Sequence, residues 1–132
     1  MKKLSKGVKV SGHWPSELRL REKGRILYVR FETGGEYALG AEYLRVMSPS
    51  AEVQGHSAKD RVTIGGKRDC AVIGVDPVGS YGVRLSFDDM HTTGIFTWDY
   101  LFDLGAHFSE KWALYEAELK AKGLDRDRPG QA

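Results

Sequence analysis

Two stretches decide the fold: Leu27-Tyr28-Val29-Arg30-Phe31 and Val83-Arg84-Leu85-Ser86-Phe87. In each, every second residue is apolar, the period of a strand with one buried face. Each is followed by a polar turn, a short strand and then a helical-looking segment, Ala41-Glu42-Tyr43-Leu44 in one case and Trp98-Asp99-Tyr100-Leu101 in the other. The two copies lie about 56 residues apart, with one extra residue in the second turn, an insertion that loops tolerate. A lone hairpin is marginal in water. Two such units packed face to face would bury both apolar faces, so the expected fold class is α+β, a mainly antiparallel sheet of two hairpin units with short helices.

Working outward, alternation also marks a strand over 17–22, ended by a turn at Lys23-Gly24, and another over 70–75. Asp76-Pro77-Val78-Gly79 reads as a turn, because proline presets its second position. Residues 94–98 read as the last strand, and 99–104 as a helix stopped by Gly105. Ser109 is placed to cap a final helix over 110–122, with Trp112, Tyr115 and Leu119 on its inner face. Residues 48–67 read as a long polar loop around 61–64. The organisation expected is a flexible leader over 1–12, one domain over 13–123 and a disordered tail over 124–132.

The composition bounds function. The chain has 132 residues, 41% hydrophobic and 29% charged, enough for one core. Its net charge of +2 comes from interleaved acids and bases. Only Lys2, Lys3, Lys6 and Lys9 cluster, so no nucleic-acid surface is expected. One cysteine, Cys70, excludes an intrachain disulfide and any multi-cysteine metal site. It opens an apolar strand and reads as a buried, inert thiol. No apolar run approaches the ~20 residues that span a bilayer, and no apolar stretch follows the N-terminal lysines. A reducing compartment, the cytoplasm, is the expectation, with no membrane partner. No nucleophile elbow or phosphate loop is present, so the expected protein is not an enzyme.

Four segments in this order carry a resemblance: Tyr43-Leu44-Arg45; Ser48-Pro49-Ser50-Ala51-Glu52-Val53-Gln54-Gly55-His56; Val72-Ile73-Gly74-Val75-Asp76-Pro77-Val78-Gly79; and Thr93-Gly94-Ile95-Phe96-Thr97-Trp98-Asp99-Tyr100-Leu101. Together they resemble the gamma-butyrobetaine hydroxylase-like N-terminal domain family, over Trp14 to Gly105. The resemblance implies a compact β-rich fold of unknown function. It occurs before iron and 2-oxoglutarate hydroxylase domains, fused to ATPases that carry iron–sulfur clusters, and as short bacterial chains. The hydroxylase iron site lies in a separate domain, so the resemblance does not imply that reaction here. It does imply a zinc position at Ser48, Ser50, Val53 and His91, where only the histidine is a ligand type.

Two readings of the polar residues follow. Arg45, Ser48, Ser50, Glu52 and His56 form a candidate binding loop for an anion or a partner peptide, through hydroxyls and the guanidinium. The same residues also suit a network of caps and turns. His56 and His91, with Asp88, Asp89 or Glu52, form a candidate site for zinc or iron. The competing reading is a histidine hydrogen-bonded in a turn. The expected role is a noncatalytic binding or adaptor domain, with an iron–sulfur assembly ATPase or an oxygenase as partner. A small His-based metal protein, or an accessory subunit of an iron/2-oxoglutarate oxygenase, is the alternative. A monomer or weak dimer is expected, since sheet edges need covering.

Overall fold

A computed structural model describes residues 12–55 and 61–127. The leader up to residue 11, His56 and residues 128–132 lie outside the described residues. The first half runs β1 (Pro15–Arg21), a 3-10 turn (Glu22–Gly24), β2 (Ile26–Phe31), β3 (Glu36–Gly40), α1 (Ala41–Val46) and α2 (Ala51–Gln54). The second runs β4 (Val72–Val78), β5 (Gly82–Phe87), β6 (Ile95–Thr97), α3 (Trp98–Ala106) and α4 (Phe108–Ala121). The strands form two three-stranded antiparallel sheets, β1-β2-β3 and β4-β5-β6. The fold is α+β, built as two similar units.

The central strands behave as their alternation requires. Leu27, Val29 and Phe31 of β2 and Val83, Leu85 and Phe87 of β5 are all buried in one common core. Each such side chain removed from water stabilises the fold by about 1.5–3 kcal/mol. Leu44 of α1 and Leu101 of α3 are also fully buried there. Tyr115 and Leu119 of α4 join the core, and Trp112 packs on it from a partly exposed position.

The two units exchange equivalent hydrogen bonds. The Tyr43 hydroxyl in α1 donates to the Leu104 carbonyl in α3 at 2.7 Å. The Tyr100 hydroxyl in α3 donates to the Met47 carbonyl after α1 at 2.6 Å. Donor and acceptor are separated by four residues in each helix, so the exchange obeys an approximate twofold relation between the units. Burial raises the ordinary pKa of both phenols, to about 12 for Tyr100, which keeps both hydroxyls as donors.

Several boundaries differ from the sequence reading. Asp76, Pro77 and Val78 are not a turn: they continue β4, with Pro77 opposite Val83. Residues 81 and 85 bond on the β6 side, the Tyr81 carbonyl by accepting from the Trp98 N–H and the Leu85 N–H by donating to Gly94, and Val83 between them shares that direction. The proline nitrogen therefore faces the open edge of β4, where no ladder bond is lost. Trp98 is the first residue of α3 and not the end of a strand, because the Thr97 hydroxyl accepts from the Tyr100 N–H. Gly105 does not end α3. A Cβ there would lie 2.3 Å from the Tyr37 ring, so glycine permits close helix–strand packing. Ser109 does not cap α4, which starts one residue earlier, at Phe108. Leu124 to Asp127, assigned to a disordered tail, follow a defined path. Gly66 and Arg68 donate their N–H groups to Asp125 and Arg126 at 2.9 and 3.1 Å. No helix among the described residues is long and apolar enough to cross a membrane.

The reciprocal bonds make a paired prediction. Tyr43→Phe and Tyr100→Phe should each destabilise the fold by about 1–3 kcal/mol, because each leaves a carbonyl without its partner. Urea unfolding at pH 7 reads both, and similar losses in the two variants are expected.

Candidate functional site

Where the units meet, the residues after α1 pack on the turn between β5 and β6. The Ser50 hydroxyl accepts from the Glu52 N–H at 3.1 Å and so caps α2. It also bonds the Thr93 hydroxyl at 2.8 Å. The Ser48 hydroxyl accepts from the Ser50 N–H at 3.2 Å and lies 2.9 Å from His91 Nε2. Gln54 donates to the Ser48 carbonyl at 2.9 Å. Ser48, Ser50 and His91 are buried.

The partners fix the histidine tautomer. His91 Nδ1 faces Glu52 Oε1 at 3.2 Å. A carboxylate only accepts, so Nδ1 carries the proton and Nε2 accepts from the Ser48 hydroxyl. Burial, reinforced by Arg45, holds the imidazole pKa below its ordinary value, while Glu52 and Asp89 partly oppose them. Both ring nitrogens are engaged in this neutral state.

Beside it sits a charge cluster. Asp89 Oδ2 accepts from Arg45 Nε at 2.7 Å and lies 2.6 Å from Lys67 Nζ. Its other oxygen accepts from the His91 N–H at 3.1 Å. Burial pushes the Asp89 carboxyl up, but the bonds from Lys67, Arg45 and His91 outweigh it and bring the group down to about 2. One Arg45 nitrogen, Nη1, is buried without a partner among the described residues. Asp88 stands apart from the cluster and accepts from the Ala71 N–H at 3.2 Å. A cleft of about 310 Å³ opens beside them, lined in part by Lys67, Cys70, Asp88 and Asp89. Burial pushes the Cys70 thiol up to about 12, so it is not a thiolate near neutrality.

The nominated loop residues therefore divide. Arg45 (11% exposed), Ser48 and Ser50 turn inward and bind their own chain. Glu52 keeps a 66% exposed side chain. Of the proposed metal pair, His91 is here and His56 lies outside the described residues. The positions that the resemblance assigns to zinc do converge, since Ser48 and Ser50 lie against His91. Two hydroxyls, the buried alkyl side chain of Val53 and an imidazole with both nitrogens engaged do not fit zinc, which takes thiolate, imidazole or carboxylate ligands. Among the described residues no group of three His, Cys, Asp or Glu could hold a metal ion. Reading by sequence alone missed Arg45–Asp89–Lys67 and the exposed Met90, which occupies a left-handed conformation (φ 75°) at the turn tip. A signal for Met90 was available, because the equivalent position of the first unit is Gly34, also at positive φ.

The two shifted groups give a pH profile with a definite sign. The depressed Asp89 carboxyl stabilises the fold above the unfolded value of about 4, and this is lost as pH falls towards 2. The depressed His91 pKa means the unfolded chain takes that proton first, so stability also declines as pH drops below about 6.5. Asp89→Asn should lower stability at pH 7 by about 1–3 kcal/mol and shrink the acid limb below pH 4. His91→Gln should flatten the limb just below pH 6.5. Chemical unfolding from pH 3 to 8 checks both.

The sequence matches the family described as gamma-butyrobetaine hydroxylase-like, N-terminal, over residues 18–102. No curated protein matches it. Among solved structures, one determined by NMR in solution is 44% identical, covers 91% of this chain and 94% of its own, and superposes with a TM-score of 0.76. A second NMR structure is 34% identical over 97% and 98% of the two chains, also with a TM-score of 0.76. A crystal structure of a protein of unknown function from Acidithiobacillus ferrooxidans ATCC 23270, of the DUF971 family, is 39% identical over 70% and 92%, with a TM-score of 0.57. By sequence over most of its core and by fold over nearly its whole length, the chain belongs to the gamma-butyrobetaine hydroxylase-like N-terminal domain family, whose function is unknown.

Proposed function

We propose that this domain is a noncatalytic binding module that docks a protein partner where α2 meets the β5–β6 turn. The observation that carries the reading is Met90. It is 82% exposed, apolar and at positive φ, a conformation that costs a non-glycine residue about 1–2 kcal/mol. Among the described residues nothing offsets that cost through burial. Strain of this kind persists where function requires it, and an exposed methionine is an adaptable contact. Directly beneath Met90, the bonds of Asp89 and His91 hold the turn in one geometry, and Glu52 gives it a charged neighbour. Ser48, Ser50, Asp89 and His91 are spent on this scaffold, which supports a binding role over acid–base or nucleophilic chemistry. The partner classes to try first are an ATPase that carries iron–sulfur clusters and an iron/2-oxoglutarate oxygenase.

Met90→Gly separates fold from function. It should raise stability by about 1 kcal/mol by relieving the strain, yet weaken binding to a partner captured from native extract, identified and then titrated as a pure protein. Glu52→Lys should weaken the same titration with little change in stability. Undiminished binding by both variants would refute the surface.

A further inference from the structure

The fold leaves four strand edges, and three are blunted in ways that oppose pairing. β1 carries a register irregularity between Pro15 and Glu17 and presents Arg19 and Arg21. β4 carries one between Val72 and Gly74, and Pro77 faces its edge. β6 has only three residues. The fourth, β3, is regular throughout its pairing with β2, contains no proline, and has Ala38 and Gly40 along it.

The β3 register determines what that edge offers. Phe31 donates to Gly35 and Ala41 donates to Arg25, so Gly35, Tyr37, Leu39 and Ala41 face β2. The N–H and C=O groups of Glu36 and Ala38 and the N–H of Gly40 consequently point away from the sheet, and Ala38 has no backbone partner there among the described residues, while the Gly40 carbonyl begins the hydrogen-bond series of α1. Beside Ala38 and Gly40 a cleft of about 290 Å³ is walled by Tyr43, Phe108 and Trp112, with Arg126 at its rim. Arg126 spends Nε and one terminal nitrogen on Glu42, at 2.7 and 2.6 Å.

We propose that β3 pairs antiparallel with β3 of a second copy about a twofold axis at Ala38, joining two three-stranded sheets into one of six strands. Charge and shape choose this occupant. With Ala38 opposite its own copy, Glu36 lies opposite Gly40 of the partner. Directly opposed residues put their side chains on the same face. Glu36 is on the outer face, where one carboxylate oxygen accepts from the Tyr28 hydroxyl at 2.7 Å and the other lies 3.6 Å from Arg30. Gly40 has no side chain to obstruct it, and Arg126, held on Glu42, lines the same cleft as Gly40. The pairing thus sets a carboxylate against a guanidinium twice, once on each side of the axis. The interface is small, so the dimer is weak and concentration-dependent.

The test is register-specific. In a Cys70→Ala chain, Ala38→Cys should form an intersubunit disulfide under mild oxidation. The paired Cα atoms would be about 5.5 Å apart, within disulfide reach. Glu36→Cys should not, because its copies would be about 14 Å apart. Sedimentation up to about 1 mM should show a dimer that Glu36→Arg weakens at least ~10-fold. A monomer at every concentration, or equal cross-linking at both positions, would overturn the proposal. Partner binding through Met90 is independent of either result.

Discussion

The reciprocal tyrosine bonds between α1 and α3 are the constraint on which the molecule depends. Each unit has a sheet with one apolar face and a helix too short to cover it. The α1 helix has six residues, below the length at which a helix is stable alone. Each helix is therefore held by the other unit. Tyr43 and Tyr100 reach across the core to carbonyls at the opposite helix end, which would otherwise be buried without partners. Apolar burial supplies most of the driving force, but it is non-directional. The two hydroxyls set how the units sit against each other.

The same relation organises the chain ends. Glu42 and Asp99 occupy the second position of α1 and α3, where a negative charge suits a helix N-terminus. Each receives a group from one end of the chain. Arg126 makes a two-pronged bond to Glu42, and His13 lies 2.8 Å from Asp99. His13 also stacks on Phe102, and Arg126 lies over Trp112. The first and last described segments thus act as matching clasps on equivalent helices.

The twofold relation fails at the turns. Gly34 in the first turn becomes Met90 in the second, and Gly35 becomes His91. Only the second turn meets a partner loop bearing Ser48, Ser50 and Glu52. The buried polar residues fix that turn and leave Met90 and Glu52 exposed beside each other's loops. The β3 edge is a separate resource, regular where the other three edges are blunted.

Local chemistry was enough for some of this. The period-two alternation of 27–31 and 83–87 determined two buried strands, their repetition determined two units, and the solitary Cys70 at the head of an apolar run determined an inert thiol. The family followed from four ordered segments. Most of the site was only half legible: Ser48, Ser50, Glu52 and His91 were recognisable as polar residues with a common task, and sequence left open whether they faced a partner or one another. Tertiary structure decided that, because direction depends on which surface lies opposite. Arg45 meets Asp89 across 44 residues and Arg126 meets Glu42 across 84, distances over which no local pattern carries information. The role of Pro77 was settled the same way. Proline usually marks a turn, and here it lies in a strand because the register of β5 turns its missing N–H towards an open edge.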